Sequence, residues 1–198
     1  MESLSEVDVA DFEAALTAAR LRPLQFLHAG FGLSAATLCV ILVVLSATGS
    51  FSADEFRLTQ LQMVKGLSVA NFVLFFGCYY AGGRLFSAQF SPSRLAQAVH
   101  KDYRDPAGRP IATAAGKCVA IIRKATLIRL VSYDLAASFA FATCLLAILW
   151  GVMAAHPSYW LNGAPCLLLI GYVLLTLPTA NRLRVLFLIK IAGASRLA

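Results

Sequence analysis

Charge is scarce in this sequence, and it avoids four long segments. Only 14% of the 198 residues are Asp, Glu, Lys or Arg, whereas about a quarter of a typical soluble domain is charged. Because a bilayer core of about 30 Å needs roughly 20 apolar residues per helix, this composition predicts an integral membrane protein with little mass outside the membrane. The uncharged segments are residues 24–53, 66–83, 135–155 and 164–179.

Motifs of catalysis and of metal or nucleotide binding are missing. No C-x-x-C or H-E-x-x-H motif occurs, and the five cysteines are scattered. Gly116 and Lys117 do not form a phosphate loop, because the upstream glycine and the Ser or Thr after the lysine are both absent. The sequence therefore predicts no enzyme, catalytic residue, metal site or nucleotide partner.

Positive charge predicts the orientation of the spans. Residues 84–129 hold nine Lys or Arg against two Asp, and residues 182–198 hold four basic residues and no acid. The connection at residues 156–165 has no charged residue. Since basic loops stay in the cytoplasm, both termini and the 84–129 connection are expected there. The net charge of +7 then reflects topology and attraction to anionic lipids rather than nucleic-acid binding.

We predict an all-α, four-helix transmembrane bundle built from two hairpins. The acidic, amphipathic start of the chain predicts a surface helix rather than a signal peptide, capped by Asp8 or Asp11 and closed by Arg20 and Arg22. Pro23 is expected to open the first span. The predicted parts are an N-terminal cytoplasmic helix (1–22), hairpin 1 (23–87), a basic cytoplasmic connection (88–123) with a short helix from Ser91 or Ser93, hairpin 2 (124–181) and a basic amphipathic tail (182–198).

The two hairpins look like copies of one unit. A shift of 101 residues places HAGFGLSAATLCVILVVL on RLVSYDLAASFAFATCLL, and a shift of 98 places Arg84 on Arg182. Both hairpins start in the predicted cytoplasm, so the repeat would be parallel, with a pseudo-twofold axis along the membrane normal.

Five short motifs carry a resemblance to a known family: His28 and Arg129 at the heads of the first and third spans, Asp134, the Pro178–Thr179 pair and Arg182. The chain resembles an uncharacterised family of small four-helix bacterial membrane proteins. Each hairpin of that family distantly resembles the proteolipid ring subunit of rotary ATPases. The resemblance implies a multi-pass protein of the bacterial inner membrane and brings no biochemical role with it.

Asp134 is an acidic residue at the head of a span. The 21 uncharged residues after it would cover roughly 31 Å as a helix, which places the carboxylate at the inner interface. We expect an ion pair that fixes helix register, with Arg84 or Arg182 better placed than Arg129. The alternative is a small proton- or ion-conducting subunit that uses Asp134 as its carrier.

His28 is the candidate cofactor ligand. A neutral imidazole near the start of the first span can bind a haem iron or a chlorophyll magnesium. His100 and His156 lie at other levels, which excludes a bis-histidine haem and leaves a pigment or haem held by one ligand. The alternative is a histidine at the interface, bonded to a lipid headgroup, water or the backbone.

The second span carries small residues at helix-packing intervals. Gly66 and Ala70, and again Gly77 and Ala81, are four apart and predict close approach of another helix. Asn71 is expected to donate a hydrogen bond across the bundle, and contact with a pigment or quinone is the alternative use of this helix.

These features predict a non-catalytic accessory or scaffolding subunit of a larger bacterial membrane complex, such as a respiratory or photosynthetic assembly. Its expected partners are other integral membrane subunits and anionic lipids. A bound pigment or lipid is compatible with the sequence, although no cofactor is required by it.

Overall fold

The chain is mostly helical in the computed structural model, which describes Leu4 and residues 7–49, 57–105 and 107–192. The helices and strands run in the order α1 Val9–Ala15, α2 Ala18–Thr48, α3 Leu58–Ala88, α4 Pro92–His100, β1 Tyr103–Arg104, β2 Pro110–Ile111, α5 Ala114–Leu149, α6 Val152–Ala155, a 3₁₀ helix Pro157–Gly163, α7 Ala164–Thr176 and α8 Ala180–Lys190.

Within the described residues, four helical segments are long and apolar enough to cross a membrane, which confirms the prediction of a mostly helical chain with four such segments. These segments are Arg20–Thr48, Leu58–Ala88, Ala114–Leu149 and Pro157–Thr176. The tandem repeat and the orientation stay predictions. The predicted end of the first span, in residues 50–53, lies outside the described residues.

The predicted N-terminal helix is split in two. Helix α1 begins after Asp8, whose side chain accepts a hydrogen bond from the Val9 N–H at 2.6 Å. Asp8 rather than Asp11 is therefore the cap, and an N-cap carboxylate satisfies one of the free N–H groups of the first turn. The helix ends after seven residues at Ala15.

The residues expected to close that helix belong to the next one. Arg20 and Arg22 lie near the start of α2, so the prediction that they end the first helix is wrong. Pro23 lies inside α2 instead of opening it. A proline in this position removes one backbone hydrogen bond, and the helix continues through it to Thr48.

The third span ends earlier than its composition suggests. Residues 135–155 contain no charge, but α5 stops at Leu149. Gly151 then adopts a left-handed backbone with φ of 70°, and the short helix α6 follows. Glycine takes this conformation without the steric cost of a Cβ atom. Hydropathy misses the break because Val152–Ala155 is as apolar as the helix before it.

The fourth span ends before the predicted residue 179. Helix α7 stops at Thr176, and α8 is a separate helix capped by Thr179, whose hydroxyl accepts a hydrogen bond from the Arg182 N–H at 3.3 Å. Pro178 lies between the two helices and has no N–H to continue the ladder. The predicted C-terminal tail (182–198) therefore begins within α8, which is separate from the fourth span.

The predicted basic connection (88–123) contains a short helix and a two-stranded hairpin in addition to the predicted turn. Ser91 precedes α4, which confirms the predicted short helix. Strands β1 and β2 pair antiparallel around a turn held by Asp105, whose Oδ1 accepts the N–H groups of Ala107 and Arg109 at 2.9 Å each. The Arg109 Nε donates to Oδ2 at 2.8 Å. Residues 114–123 belong to α5.

Contacts divide the chain into two compact units. Unit 1 contains Met1–His28, Gly83–Arg129 and Leu177–Ala198, and unit 2 contains Ala29–Gly82 and Leu130–Thr176. Fifteen of the 17 Lys and Arg residues belong to unit 1. Unit 2 is correspondingly apolar, as expected of segments that cross lipid.

In unit 1, α1 packs against α8 through two fully buried aromatic rings. Phe12 stacks on Phe187 with ring centroids 4.2 Å apart. Beside them the Arg184 Nε and the Glu13 carboxylate form a partly exposed ion pair at 2.9 Å. The stack holds the N-terminal helix on the C-terminal one, and the exposed ion pair adds little.

In unit 2, one apolar cluster packs near the end of α5. Its buried members come from α2, α3, α5 and α6 and are Leu42, Val64, Cys144, Ala147, Ile148, Val152 and Met153. Because α6 contributes two of them, the chain after Gly151 turns back onto the protein.

Candidate functional site

A cavity of about 280 Å³ opens in unit 2 between α3, α5 and α7. Its lining combines aromatic side chains from all three helices with aliphatic residues of α7: Phe75, Tyr79, Tyr133, Ala136, Pro165, Leu167, Leu168, Leu169, Gly171, Tyr172 and Leu175. No charged side chain is among them. The cavity is therefore suited to a neutral, largely apolar molecule.

Three tyrosines form a connected ring array in this cavity. Tyr133, only 7% exposed, stacks on Tyr79 with centroids 5.2 Å apart and an interplanar angle of 9°. Tyr172 meets the Tyr133 ring edge-on, at 4.9 Å and 79°. Edge-to-face and stacked pairs are both favourable arrangements of the ring quadrupoles, so each contact fixes the position of Tyr133.

Exposed side chains surround the mouth of the cavity. Tyr79 is 55% exposed, and Leu167, Leu168 and Leu175 are also exposed. All of them lie in segments long and apolar enough to span a membrane. The opening therefore faces the position that lipid would occupy.

Unit 2 also contains a buried network of hydrogen bonds between two asparagine side chains. The Asn71 Nδ2 donates to the Asn162 carbonyl at 3.0 Å and to its Oδ1 at 3.3 Å. The Asn162 Nδ2 donates to the Ser68 hydroxyl at 2.9 Å and to the Tyr159 carbonyl at 3.0 Å. Asn71 thus makes the expected hydrogen bond to another segment, and its Oδ1 is left without a partner.

The His28 ring is buried in the protein rather than open to lipid headgroups or water. It is 1% exposed, and within the described part of the chain neither ring nitrogen meets strict hydrogen-bond geometry; the Leu24 backbone one turn earlier is a looser hydrogen-bond neighbour. A metal must lie about 2 Å from an imidazole nitrogen. A ring so fully covered by protein has no room for a macrocycle, so His28 does not fit a haem or chlorophyll ligand in this structure.

Asp134 is half-buried in unit 2 and is followed by a shorter helix than predicted. Only 15 residues separate it from the end of α5, which corresponds to roughly 22 Å. If that end marks the outer edge of a 30 Å core, the carboxylate lies about 8 Å inside the inner edge. The prediction that headgroup water reaches it directly depended on the longer helix.

The three arginines proposed as partners of Asp134 all belong to unit 1. The Arg129 guanidinium carbon lies 4.9 Å from the centroid of the Phe86 ring, a cation–π distance. The Arg182 Nη1 donates to the Leu177 carbonyl at 3.2 Å, which covers a free carbonyl at the break before α8. Arg84 is exposed. The ion pair of Asp134 with any of them stays a prediction.

The small residues of α3 are not on its packed face. Gly66, Ala70, Gly77 and Ala81 are all exposed, and a Cβ atom added to either glycine would meet nothing within 4 Å. The packed face of α3 in unit 2 carries Asn71 instead. The predicted role of these four in packing within the chain is therefore corrected, because the stripe points away from it.

Unit 1 holds a larger open cleft of about 620 Å³ near the start of α5. Two of its lining residues are basic, but both already bind backbone carbonyls: the Arg20 Nη1 donates to Ala15 at 3.1 Å and the Lys117 Nζ donates to Val99 at 2.5 Å. These cations cover carbonyls in the last turns of α1 and α4. Among the described residues, no three His, Cys, Asp or Glu side chains are grouped to hold a metal.

Several of these residues escape detection in the sequence. Asn162 lies in a predicted connection between spans, and nothing in its neighbours marks it as buried. Gln25 donates from Nε2 to the Pro178 carbonyl at 3.0 Å, a bond across 153 residues. Tyr133 has no sequence feature that marks it as part of a site, because the charged residue in this segment is its neighbour Asp134. The available signal was the recurrence of tyrosine in three spans.

Comparisons with protein-family models, curated proteins and solved structures found no match to the chain.

Proposed function

We propose that the chain is a non-catalytic accessory subunit of a larger complex in the bacterial inner membrane, where it makes lateral contacts with other membrane subunits. In this proposal its two hairpins form a four-helix bundle with both termini in the cytoplasm. Anionic lipids accompany its basic parts.

The observation that carries the proposal is the free face of α3. At 3.6 residues per turn, the four small residues fall within about 60° of the helix circumference, and Asn71 lies about 110° from the centre of that stripe. Small residues let another backbone approach closely in lipid, where dispersion contacts drive helix association. An exposed stripe of this kind, outside the packed face, suits a helix from a different chain.

The distribution of charge supports the orientation. With 15 of the 17 basic residues in unit 1, the positive-inside tendency favours a cytoplasmic position for that unit. Tyr159 and Trp160 lie in an uncharged stretch, as expected of the opposite side, where aromatic residues anchor at the interface.

Purification in mild detergent from the native membrane tests the proposal. The wild-type chain should carry other integral membrane proteins with it, identified by mass spectrometry. Gly77→Leu fills the small-residue face and should reduce their recovery severalfold. Gly30→Leu is the matched control, since Gly30 is also exposed, helical and free of neighbours within 4 Å. A wild-type protein that purifies alone would refute the accessory role.

The shortened α5 favours one second candidate, a proton-conducting subunit. Asp134 lies roughly 22 Å from the end of α5, and this is deeper than a headgroup position if that end marks the outer edge of a 30 Å core. Proton flux into liposomes containing the purified chain tests this candidate. Flux that disappears in Asp134→Asn, with unchanged folding, would establish conduction, and equal flux in both proteins and empty liposomes would exclude it.

A further inference from the structure

We propose that the tyrosine-lined cavity of unit 2 binds the ring of a neutral, lipid-soluble quinone, while the tail of the quinone stays in the bilayer. The inference rests on the cavity alone, and it does not depend on the accessory role.

The chemistry of the walls selects a neutral ring. Among the described residues, no Lys, Arg, Asp or Glu lines the cavity, so a phosphate or a zwitterionic headgroup would be left unpaired at a high cost. Tyr79, Tyr133 and Phe75 offer ring faces and edges against which a planar ring can stack. A tyrosine hydroxyl is both a donor and an acceptor, and a quinone carbonyl is an acceptor that matches it.

The volume selects a head group rather than a whole lipid. Sites for drug-sized ligands usually have 300–1,000 Å³, and this cavity has about 280 Å³. It therefore accommodates a ring and the first part of a tail. The exposed side chains of Leu168 and Leu175 at the mouth allow the remaining tail to lie among lipid chains.

Gly171 provides a way to close the cavity without disturbing its walls. It lines the cavity, and a Cβ atom added there would meet nothing within 4 Å. A leucine at this position enters empty space, and leucine is also a better helix former than glycine. Gly171→Leu should therefore fold normally and occupy the room of the ligand.

The test uses the full chain in lipid nanodiscs and an azido-benzoquinone with a decyl tail as the probe. Photolabelling should map to the segments around Tyr79, Tyr133 and Tyr172, and excess decyl-benzoquinone should compete. Gly171→Leu should reduce labelling at least about tenfold, and Gly30→Leu, away from the cavity, should leave it unchanged. Gly77→Leu should also leave it unchanged, which separates this site from the partner surface of α3.

Two further variants at the mouth define the contact. Tyr79 is half-exposed, so its replacement should not unfold the protein. Tyr79→Phe keeps the ring and removes the hydroxyl, and should weaken labelling roughly 2- to 10-fold, the range of one net hydrogen bond. Tyr79→Leu removes the ring as well and should weaken labelling further.

The proposal fails if Gly171→Leu labels like the wild type, because the probe would then bind elsewhere. It also fails if decanol, which has a tail but no ring, competes as well as the quinone. In that case the cavity holds a lipid chain and does not recognise a ring.

Discussion

A buried imidazole without a good hydrogen bond should cost the fold free energy, and His28 is such a group. We expect His28→Leu to stabilise the protein by about 1–3 kcal/mol, since an apolar side chain of similar size removes the cost of the buried ring. Thermal unfolding in detergent, followed by circular dichroism, measures the change.

The control for this prediction is His100→Gln, because His100 is exposed at the end of α4 and should leave the unfolding temperature unchanged. A His28→Leu protein less stable than the wild type would contradict the prediction. It would mean that the imidazole makes a stabilising hydrogen bond within the folded chain, for example to the Leu24 carbonyl.

At the residue scale, the sequence shows which side chains are polar or titratable, but it does not show which of them are buried. His28 and Asn71 stand out because polar side chains are rare in apolar helices. Their burial does not follow from the sequence, because it depends on which face of each helix meets another. Asn162 lies in the connection between the third and fourth spans, so the sequence predicts it to be outside the core. It is buried because the Asn71 side chain packs against it and donates a hydrogen bond to its carbonyl.

At the scale of elements, the end of α5 depends on a single glycine. A residue with a Cβ atom pays about 1–2 kcal/mol in the left-handed region, and Gly151 has φ of 70°. Gly151→Ala should therefore destabilise the protein by about 1 kcal/mol. Chemical denaturation in detergent, compared with Gly30→Ala, measures this cost.

The comparison with Gly30→Ala is informative because that substitution should stabilise the protein by up to about 1 kcal/mol, the difference in helix propensity. If both substitutions stabilised the protein, the left-handed conformation of Gly151 would be contradicted. α5 would then continue, and Asp134 would return to the interface predicted from the longer span.

The hairpin of β1 and β2 should respond to acid. The backbone N–H of Arg109 is the main cause that holds the pKa of the Asp105 carboxyl below its usual range, and the Arg109 side chain and the Ala107 N–H act in the same direction. The folded hairpin therefore favours the charged carboxylate. Its contribution is complete above the unfolded pKa and is lost as pH falls through the lowered value.

We expect the amide NMR signals of Ala107 and Arg109 to stay constant down to about pH 4, the ordinary range of aspartate, and to move only below it. Asp105→Asn keeps the acceptor oxygen and removes the titration, so its signals should not move in that range. A midpoint above pH 4 in the wild type would contradict the lowered pKa.

At the scale of the whole molecule, the sequence predicts the number of spans better than their ends. Long uncharged segments are enough to identify the four helices that, in the described part of the chain, are long and apolar enough to cross a membrane, because the cost of charge in lipid is large. The ends of the helices depend on single residues such as Gly151 and Pro178. A hydropathy profile averages over many residues and therefore does not detect them. The cavity depends on three tyrosines from three helices, and no local pattern brings these together.

The charge difference between the units leads to a prediction about orientation. Ser158 lies in the uncharged connection and Ser93 in the basic one, and both side chains are exposed. Because basic segments stay in the cytoplasm, a membrane-impermeant maleimide on intact cells should label Ser158→Cys. It should label Ser93→Cys only after the membrane is opened.

The native thiols set the background of that experiment. Cys118, Cys144 and Cys166 are buried, and Cys39 and Cys78 are half-buried within apolar spans, where a charged reagent does not enter. The wild-type chain should therefore stay unlabelled in intact cells. Labelling of Ser93→Cys from outside would invert the orientation and place unit 1 on the outer side. The same 15 basic residues would then need an explanation other than topology, such as binding to an acidic partner outside the cell.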